Sequence, residues 1–198
     1  RRQRQMCIRD RSHTLWDVNL TLSQGSCMCL MGRNGVGKTT LLNSIMGVLP
    51  VASGKIKFDG EVISQRPPEI RAKKGIGYVP QGRGIFSQLT VEENLRIGLL
   101  VRRDGVREIP ESIFVLFPAL RNMLNRRGGD VSGGQQQQLA IARSLIFNPK
   151  VLLLDEPSEG IQPSIVSQIA DKLNDISSNL KTAIVVIEQN ISFISKLH

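Results

Sequence analysis

Short apolar runs and amphipathic stretches alternate along the chain. The runs at residues 75–79, 151–154 and 182–187 are mostly apolar and have the length of buried strands. Residues 41–49 and 165–176 carry apolar positions at helical spacing and predict helices. Because strands that alternate with helices usually pair in parallel, we expect an α/β fold with a mainly parallel sheet.

Turn signals organise the remainder of the first half. Residues 15–31 alternate apolar and polar positions and predict strands joined by a turn at residues 23–26. Residues 55–58 predict a short strand that leads into Asp59-Gly60, a hairpin signal.

Residues 82–148 are mainly helical in character. Thr90 and Glu93 have the spacing of a capping box, which predicts a helix N-terminus there. Ser132 predicts the N-cap of another helix, which Asn148-Pro149 would end. We therefore expect a helical lobe, at about residues 82–148, inserted into the α/β domain.

The formal net charge of +9 is a signal for nucleic acid or anionic lipid, but its distribution weakens that signal. Residues 1–11 contain five arginines against one aspartate, so nearly half of the excess lies in this piece. The piece has no helical or strand periodicity, and it lacks the apolar core of a secretory signal. We expect it to be extraneous or disordered, with the folded domain over residues 12–198. A basic arm for nucleic acid is the functional alternative.

Three other classes of function find little support. No apolar run approaches the ~18–20 residues that a membrane span requires, so a role at a membrane needs a partner there. Cys27 and Cys29 share one face of a predicted strand, where small buried side chains are the simpler interpretation than a redox pair. His13 and His198 have no neighbouring ligand pattern, so we expect no zinc site and no histidine-based triad.

The clearest chemical signal is a G-x-x-x-x-G-K-[ST] motif between a predicted strand and a predicted helix, the context that this motif needs. Its glycines let backbone N–H groups point at a phosphate, and the helix adds the positive end of its dipole. Lys38 would contact the β- and γ-phosphates of a nucleotide, and the Thr39 hydroxyl would ligate Mg²⁺. A glycine-rich turn that contains a lysine by chance is the plain alternative. The predicted phosphate-binding residues are Gly32, Arg33, Asn34, Gly35, Val36, Gly37, Lys38, Thr39 and Thr40.

Two adjacent acids follow the most apolar predicted strand. That strand would project Asp155 into the crevice where ligands bind in open α/β sheets, in position to hold Mg²⁺. Glu156 would orient and deprotonate an attacking water molecule. A strand that ends in solvent-exposed acids is the plain alternative when no phosphate loop accompanies it.

A second candidate anion site lies at the predicted helix start after Val131. Its residues are Ser132, Gly133, Gly134 and Gln135. Free N–H groups and a hydroxyl at a helix N-terminus can bind phosphate, although an ordinary N-cap would have the same residues. Two phosphate-binding ends in one domain suggest that two copies share each nucleotide.

With these three motifs in this order, residues 14–198 resemble the ABC ATPase family. The phosphate loop resembles the Walker A motif, residues 152–156 the Walker B motif, and residues 131–135 the LSGGQ signature with valine for leucine. Gln81 resembles the Q-loop glutamine, and residues 159–162 stand at the D-loop. The resemblance implies ATP and Mg²⁺ as cofactors, with Thr39, Gln81 and Asp155 at the metal.

The resemblance also implies an assembly. Lys38 and Glu156 of one copy would face Ser132 and Gly134 of a second ABC ATPase subunit in a head-to-tail dimer. Two transmembrane permease subunits would hold this pair at the cytoplasmic face of the inner membrane of a bacterium. A periplasmic substrate-binding protein would act indirectly, and no nucleic-acid partner is expected.

Finer features resemble one transport group. Residues 79–86 and 90–95 resemble the ATP-binding subunits for uptake of branched-chain amino acids and amides. The segments that resemble the urea-transport subunits most are residues 12–15, 126–130, 135–138 and 159–163. Urea, short-chain amides or branched-chain amino acids are therefore the expected cargo.

The chain departs from the family pattern in three places. Gln189 stands where most members have a histidine; it can hydrogen-bond a γ-phosphate but cannot carry a proton. Because glutamine is usual there in this transport group, Gln189 stays a predicted catalytic residue with Lys38 and Glu156. An N-terminal strand with an adenine-stacking aromatic residue should precede Ser12, and further strands should follow His198. We therefore expect a domain truncated at both ends.

Two other functions compete with transport. ABC ATPases that act on nucleic acid or the ribosome carry long heptad insertions or two tandem domains, whereas this chain has a compact lobe and one phosphate loop. A nucleotide-binding scaffold without activity is opposed by Lys38, Asp155 and Glu156. The sequence therefore predicts an active ATPase.

Overall fold

The computed structural model describes residues 6–9, 12–13, 15–102 and 104–197. The strands are β1 (Met6–Arg9), β2 (Ser12–His13), β3 (Cys27–Leu30), β4 (Val51–Ser53), β5 (Lys57–Phe58), β6 (Glu61–Val62), β7 (Ile76–Val79), β8 (Val151–Asp155) and β9 (Ala183–Ile187). The helices are α1 (Lys38–Met46), α2 (Pro68–Lys74), α3 (Val91–Leu99), α4 (Glu111–Leu116), α5 (Pro118–Arg121), α6 (Gly133–Leu145), α7 (Pro163–Leu180) and α8 (Ile191–Ile194), with a 3₁₀ turn at Gly128–Asp130.

A parallel sheet of order β3-β9-β8-β7 forms the centre of the domain. All five residues of β9 are buried, and so are four of the five in β8, which is why these strands read as continuous apolar runs. In the register of the sheet, Asp155 pairs with Ile187. The carboxyl ends of the strands therefore lie at one edge, and the predicted α/β fold with a parallel sheet is confirmed.

The segment before β3 differs from the prediction. The turn at residues 23–26 is present, since the Ser26 N–H donates to the Ser23 carbonyl at 3.2 Å. Residues 15–22, however, form no strand. Asp17 has a positive φ of 47° and its carbonyl accepts from the Asn19 amide, so a local turn interrupts the alternating pattern.

The N-terminal piece also differs from the prediction in part. Residues 6–9, for which we expected no regular element, form strand β1, which pairs antiparallel with β2 and β4. Backbone pairing along the edge of β4 needs no alternation of side chains, so the sequence pattern did not reveal this strand. The rest of the 1–11 piece lies outside the described residues, as does His198.

The hairpin predicted at Asp59-Gly60 joins β5 to β6. Both turn residues have positive φ, 52° and 79°, which is the geometry of a two-residue type I′ turn.

Helices α3 to α6 lie within the residues for which we predicted a helical lobe. Helix α3 begins in a complete Thr90–Glu93 capping box and packs on α6; its Val91 and Leu95 are fully buried in the apolar cluster that also contains α6 residues. The pattern did not predict the short helices α2, α4, α5 and α8. Each is held by tertiary contacts or begins at a proline, and such short segments carry little periodicity.

A buried arginine anchors the far end of α1. Arg71, 2% exposed, donates to the carbonyl oxygens of Ser44 and Ile45 at the end of α1. It also donates to the carbonyls of Ser64 and Arg66 at 2.8 and 2.7 Å. Four carbonyl acceptors thus replace a carboxylate partner and fix α1, the helix that follows the phosphate loop.

Among the described residues, no helix is both long and apolar enough to cross a lipid bilayer.

Candidate nucleotide site

The loop from Gly32 to Gly37 connects β3 to α1 and is exposed over most of its length. Gly35 and Gly37 have φ values of 83° and 99°, which other residues rarely adopt. A side chain on Gly35 would meet open space, so the positive φ and not crowding is what favours glycine there. Helix α1 has neither an acidic residue in its first turn nor a side-chain cap. Its N–H groups are therefore available to an anion.

Lys38 lies across this loop. Its Nζ donates to the carbonyl oxygens of Gly32 at 2.5 Å and Arg33 at 2.8 Å. A phosphate group would be a stronger acceptor than either carbonyl because it is charged. The ammonium is thus placed to exchange these carbonyls for phosphate oxygens.

The other loop residues have distinct surroundings. Arg33 and Val36 are exposed. Thr40 is 4% exposed, and its carbonyl accepts from the Ser44 hydroxyl at 2.7 Å. Thr40 therefore faces the core, and of the nine predicted phosphate-binding residues it has the least room for a side-chain contact.

Asp155 ends β8 with its carboxylate buried and unpaired. The residue is 2% exposed, and neither carboxylate oxygen has a hydrogen-bond partner. Burial raises the pKa of Asp155, the Glu156 charge adds to the rise, and the nearby Thr39 hydroxyl and Lys38 oppose it. Thr39 approaches Asp155 without the geometry of a full hydrogen bond. A divalent cation between Thr39 and Asp155 would satisfy these oxygens, so the residues present fit Mg²⁺.

Glu156 is held between two amide side chains. Gln189 Nε2 donates to Glu156 Oε1 at 2.9 Å, and Gln81 Nε2 lies 3.3 Å from Oε2. Gln189 also donates to Asn34 Oδ1, so Asn34, Gln189, Glu156 and Gln81 form one continuous hydrogen-bonded chain. Glu156 itself has a positive φ of 49°, and its N–H donates to the Ile187 carbonyl. The structure therefore brings together three predicted site residues: the base Glu156, Gln189 at the position of the family's histidine, and the Q-loop glutamine Gln81.

The predicted signature residues lie at the start of α6 and form a complete capping box. The Ser132 hydroxyl accepts from the Gln135 N–H at 3.4 Å, and Gln135 Oε1 accepts from the Ser132 N–H at 2.9 Å. No hydrogen bond between described residues joins this cap to the phosphate loop. Gly133 and Gly134 allow close packing: a Cβ on Gly134 would lie 2.5 Å from Ile165 Cγ2. The glycines therefore have a packing role that the sequence did not reveal.

Two residues at this edge of the sheet, Glu188 and Arg83, were not predicted as site residues, and Glu159 was predicted only as part of the D-loop stretch. Glu188 is 3% exposed and accepts hydrogen bonds from three backbone N–H groups. Arg83 donates to Gln136 Oε1 at 2.9 Å and to the Glu159 carbonyl at 3.3 Å. Glu159 accepts from Gln81 at 3.2 Å. Glu188 follows an apolar run just as Asp155 does, and that position was the available signal.

Comparison with known proteins agrees with these motifs. The ABC transporter family matches residues 15–159. A probable branched-chain amino acid transport ATP-binding protein, LivF of Archaeoglobus fulgidus, is 39% identical over 180 residues, or 90% of this chain and 76% of its own length. The high-affinity branched-chain amino acid transport protein BraG of Pseudomonas aeruginosa is 40% identical, covering 92% of this chain and 78% of itself. The lipopolysaccharide export protein LptB of Haemophilus influenzae is 38% identical, covering 88% of this chain and 73% of itself.

A solved structure gives the same result for the fold. The crystal structure of a nucleotide-free ATP-binding cassette from an ABC transporter matches with a TM-score of 0.83 at 25% identity. The match covers 98% of this chain and 83% of the other. The chain therefore belongs to the ABC transporter family, as an ATP-binding domain with ATPase activity.

Proposed function

We propose that this chain is the ATP-hydrolysing subunit of an ABC importer and that Glu156 is its catalytic base. The observation that carries the proposal is the arrangement around Glu156: a carboxylate gripped by Gln81 and Gln189, beside the buried and unpaired Asp155. One acid is thereby oriented while its neighbour is left for a cation. Hydrolysis of a nucleoside triphosphate needs both an oriented base and a carboxylate that can bind the metal ion.

The chain's own residues divide the proposed task as follows. The loop N–H groups and Lys38 bind the β- and γ-phosphates. Thr39, Asp155 and Gln81 hold Mg²⁺, which supplies charge neutralisation on the phosphates when bound. Glu156 accepts a proton from the attacking water, and the amides of Gln81 and Gln189 fix the direction of its lone pairs.

A second ATPase subunit completes the site in this proposal. Ser132 and Gly134 make no hydrogen bond to the phosphate loop of their own chain among the described residues. The N-terminus of α6 is thus free to meet the nucleotide held by a partner subunit in a head-to-tail dimer. Gln135, already used in the cap, would orient Ser132 for that contact.

The relatives support part of the proposed cargo, and the family resemblance suggests the membrane partners. LivF and BraG support import of branched-chain amino acids, and the segments that resemble urea-transport subunits extend the proposed class to urea and short-chain amides. Two permeases would then hold the dimer at the cytoplasmic face of the inner membrane, fed by a periplasmic binding protein. Reconstitution with permeases of the branched-chain amino acid group and, separately, of the urea group, followed by uptake of labelled leucine and labelled urea, separates the two cargoes. Stimulation of ATP hydrolysis by nucleic acid instead of by permeases would refute the importer.

The test of the site is a pair of variants. Glu156→Gln should lower the kcat for ATP hydrolysis at least ~100-fold while ATP affinity is retained, because only proton acceptance is lost. Lys38→Ala should lose affinity itself. Glu108→Gln, an exposed change of the same kind in the helical lobe, is the matched control. Wild-type kcat in Glu156→Gln would assign the base elsewhere.

A further inference from the structure

Glu188 lies at the point where three loops of the site meet. It directly follows β9, and its own N–H donates to the carbonyl of Leu30, the last residue of β3 before the phosphate loop, at 3.3 Å. Its side chain turns to the other neighbour, the loop that follows β8. Glu188 therefore contacts both neighbours of β9: its backbone contacts β3, and its side chain contacts the loop after β8.

The carboxylate of Glu188 accepts hydrogen bonds from backbone groups of two loops. Oε1 accepts from the Ser158 N–H at 2.9 Å. Oε2 accepts from the N–H groups of Gln189 and Asn190 at 2.7 and 3.0 Å. Hydrogen bonds to an ionised acceptor are roughly twice as strong as neutral ones, and burial makes their loss costly.

These contacts fix both loops that orient Glu156. Ser158 belongs to the turn closed by the Glu159 N–H, which donates to the Glu156 carbonyl at 3.1 Å. The side-chain amide of Gln189 donates a hydrogen bond to Glu156 Oε1. One buried carboxylate thus sets the position of the Glu156 backbone and the position of its hydrogen-bond donor.

We propose that Glu188 is a positioning residue for ATP hydrolysis: its carboxylate locks the Ser158 turn to the Gln189 loop and so holds Glu156 in register with its donor. Glu188 is not among the residues predicted to contact ATP or Mg²⁺, and it acts through Gln189 and Glu156. The inference rests on the proposed role of Glu156. A carboxamide in its place would present an NH₂ group to N–H donors and could accept from only one side.

The expected effect is on turnover and not on binding. Glu188→Gln should lower kcat about 10-fold and leave the affinity for a fluorescent ATP analogue within about 2-fold, because the phosphate loop stays intact. The matched control, Glu108→Gln, should change neither quantity. A parallel loss of affinity and kcat would indicate a merely structural role and overturn the proposal.

A double-mutant cycle tests the route through Gln189. Gln189→Ala should lower kcat by itself, and adding Glu188→Gln should then lower it by less than about 2-fold, because both changes break one unit. Two losses that multiply would show that Glu188 acts independently, which contradicts the proposal.

Amide hydrogen exchange tests the geometry without nucleotide. In Glu188→Gln the amides of Ser158, Gln189 and Asn190 should exchange at least about 10-fold faster, while that of Leu153 in β8 stays unchanged. If Glu188→Gln does not fold, Glu188→Asp, which keeps the charge but shortens the reach, should show the same pattern. Unchanged protection of these three amides would overturn the proposal. Glu156→Gln, measured alongside, separates the two hypotheses: if it keeps its activity, the assignment of the base fails, whereas the exchange result still decides the role of Glu188.

Discussion

The carboxylate of Asp155 is a buried charge with no hydrogen-bond partner among the described residues. We therefore expect it to lower the stability of the ligand-free chain. We consider Asp155→Asn, which keeps the shape and removes the charge. Without ligand the variant should be more stable than the wild type. With Mg²⁺ and ATP the order should reverse, because the wild type alone gains a full set of metal ligands.

The size of the stability change follows from the burial of the two Asp155 carboxylate oxygens and from their lack of hydrogen-bond partners. A buried polar group without a partner costs about 1–3 kcal/mol, and a charged one costs more. The asparagine amide would also be unpaired, so the gain is the difference between the cost of a buried unpaired carboxylate and that of a buried unpaired amide. We expect the free energy of unfolding to rise by about 1–2 kcal/mol. For a domain of this size 1 kcal/mol shifts Tm by about 2–4 °C, which gives a rise of roughly 2–8 °C. Ligand at 100 times its Kd adds about 2.7 kcal/mol to a chain that binds it, enough to reverse the order.

The pH dependence has a definite sign. Burial raises the pKa of Asp155, so the folded chain binds this proton more tightly than the unfolded chain does. The free energy of unfolding therefore falls as pH rises from about 4, the value for an unfolded aspartate, through the folded-state pKa. Asparagine does not titrate, so the advantage of Asp155→Asn should grow as pH rises from about 4 through the folded-state pKa and shrink as pH is lowered toward about 4.

Urea denaturation of the nucleotide-free chain at pH 7.5 and at lower pH measures this difference, and thermal melts with and without Mg²⁺ and ATP measure the reversal. Asp171→Asn, an exposed change on α7, is the control and should leave stability within about 0.5 kcal/mol. Lower stability of nucleotide-free Asp155→Asn than of the wild type at pH 7.5 would show that the Asp155 oxygens are paired in the folded chain, which contradicts the prediction.

Two further predictions concern packing and anchoring. Gly134→Ala should lower the free energy of unfolding by about 1–3 kcal/mol because the new Cβ meets Ile165 Cγ2 at 2.5 Å, and Ile165→Ala in the same chain should restore part of it in urea denaturation; no recovery would exclude this contact as the cause. Arg71→Ala should cost about 3 kcal/mol or more because charged hydrogen bonds to four carbonyls are lost, whereas Arg96→Ala, which removes a surface ion pair with Glu92, should cost below about 1 kcal/mol. Equal losses in these two variants would contradict the anchoring role of Arg71.

The sequence was informative where one short segment determines its own structure. The phosphate loop requires positive φ at Gly35 and Gly37, and no partner segment is needed to place them. The capping boxes at Thr90 and Ser132 are equally local and are both present. The parallel sheet was predictable because β8 and β9 are buried on both faces and therefore uninterrupted in their apolar character.

The features that the sequence did not reveal depend on contacts between distant segments. Glu188 and Ser158 are thirty positions apart, and only the pairing of β8 with β9 brings them within 2.9 Å. Gly134 has the residue type of an anion-binding loop, yet its lack of a side chain also admits Ile165 from α7. The strand prediction for residues 15–22 was wrong for the opposite reason. Their apolar and polar positions alternate well, but a local turn at Asp17 interrupts the backbone.

Three charged residues of the site, Lys38, Asp155 and Glu156, differ in what a ligand would have to displace. Lys38 is held by two neutral carbonyls, which a charged phosphate can replace at little cost. Asp155 has no partner to lose, so a cation gains its full interaction there. Glu156 is already held by two amides that a bound nucleotide need not displace. Binding therefore depends on Lys38 and Asp155 and turnover on Glu156 with its supporting Glu188, and for this reason substitutions at the two sets should separate affinity from kcat.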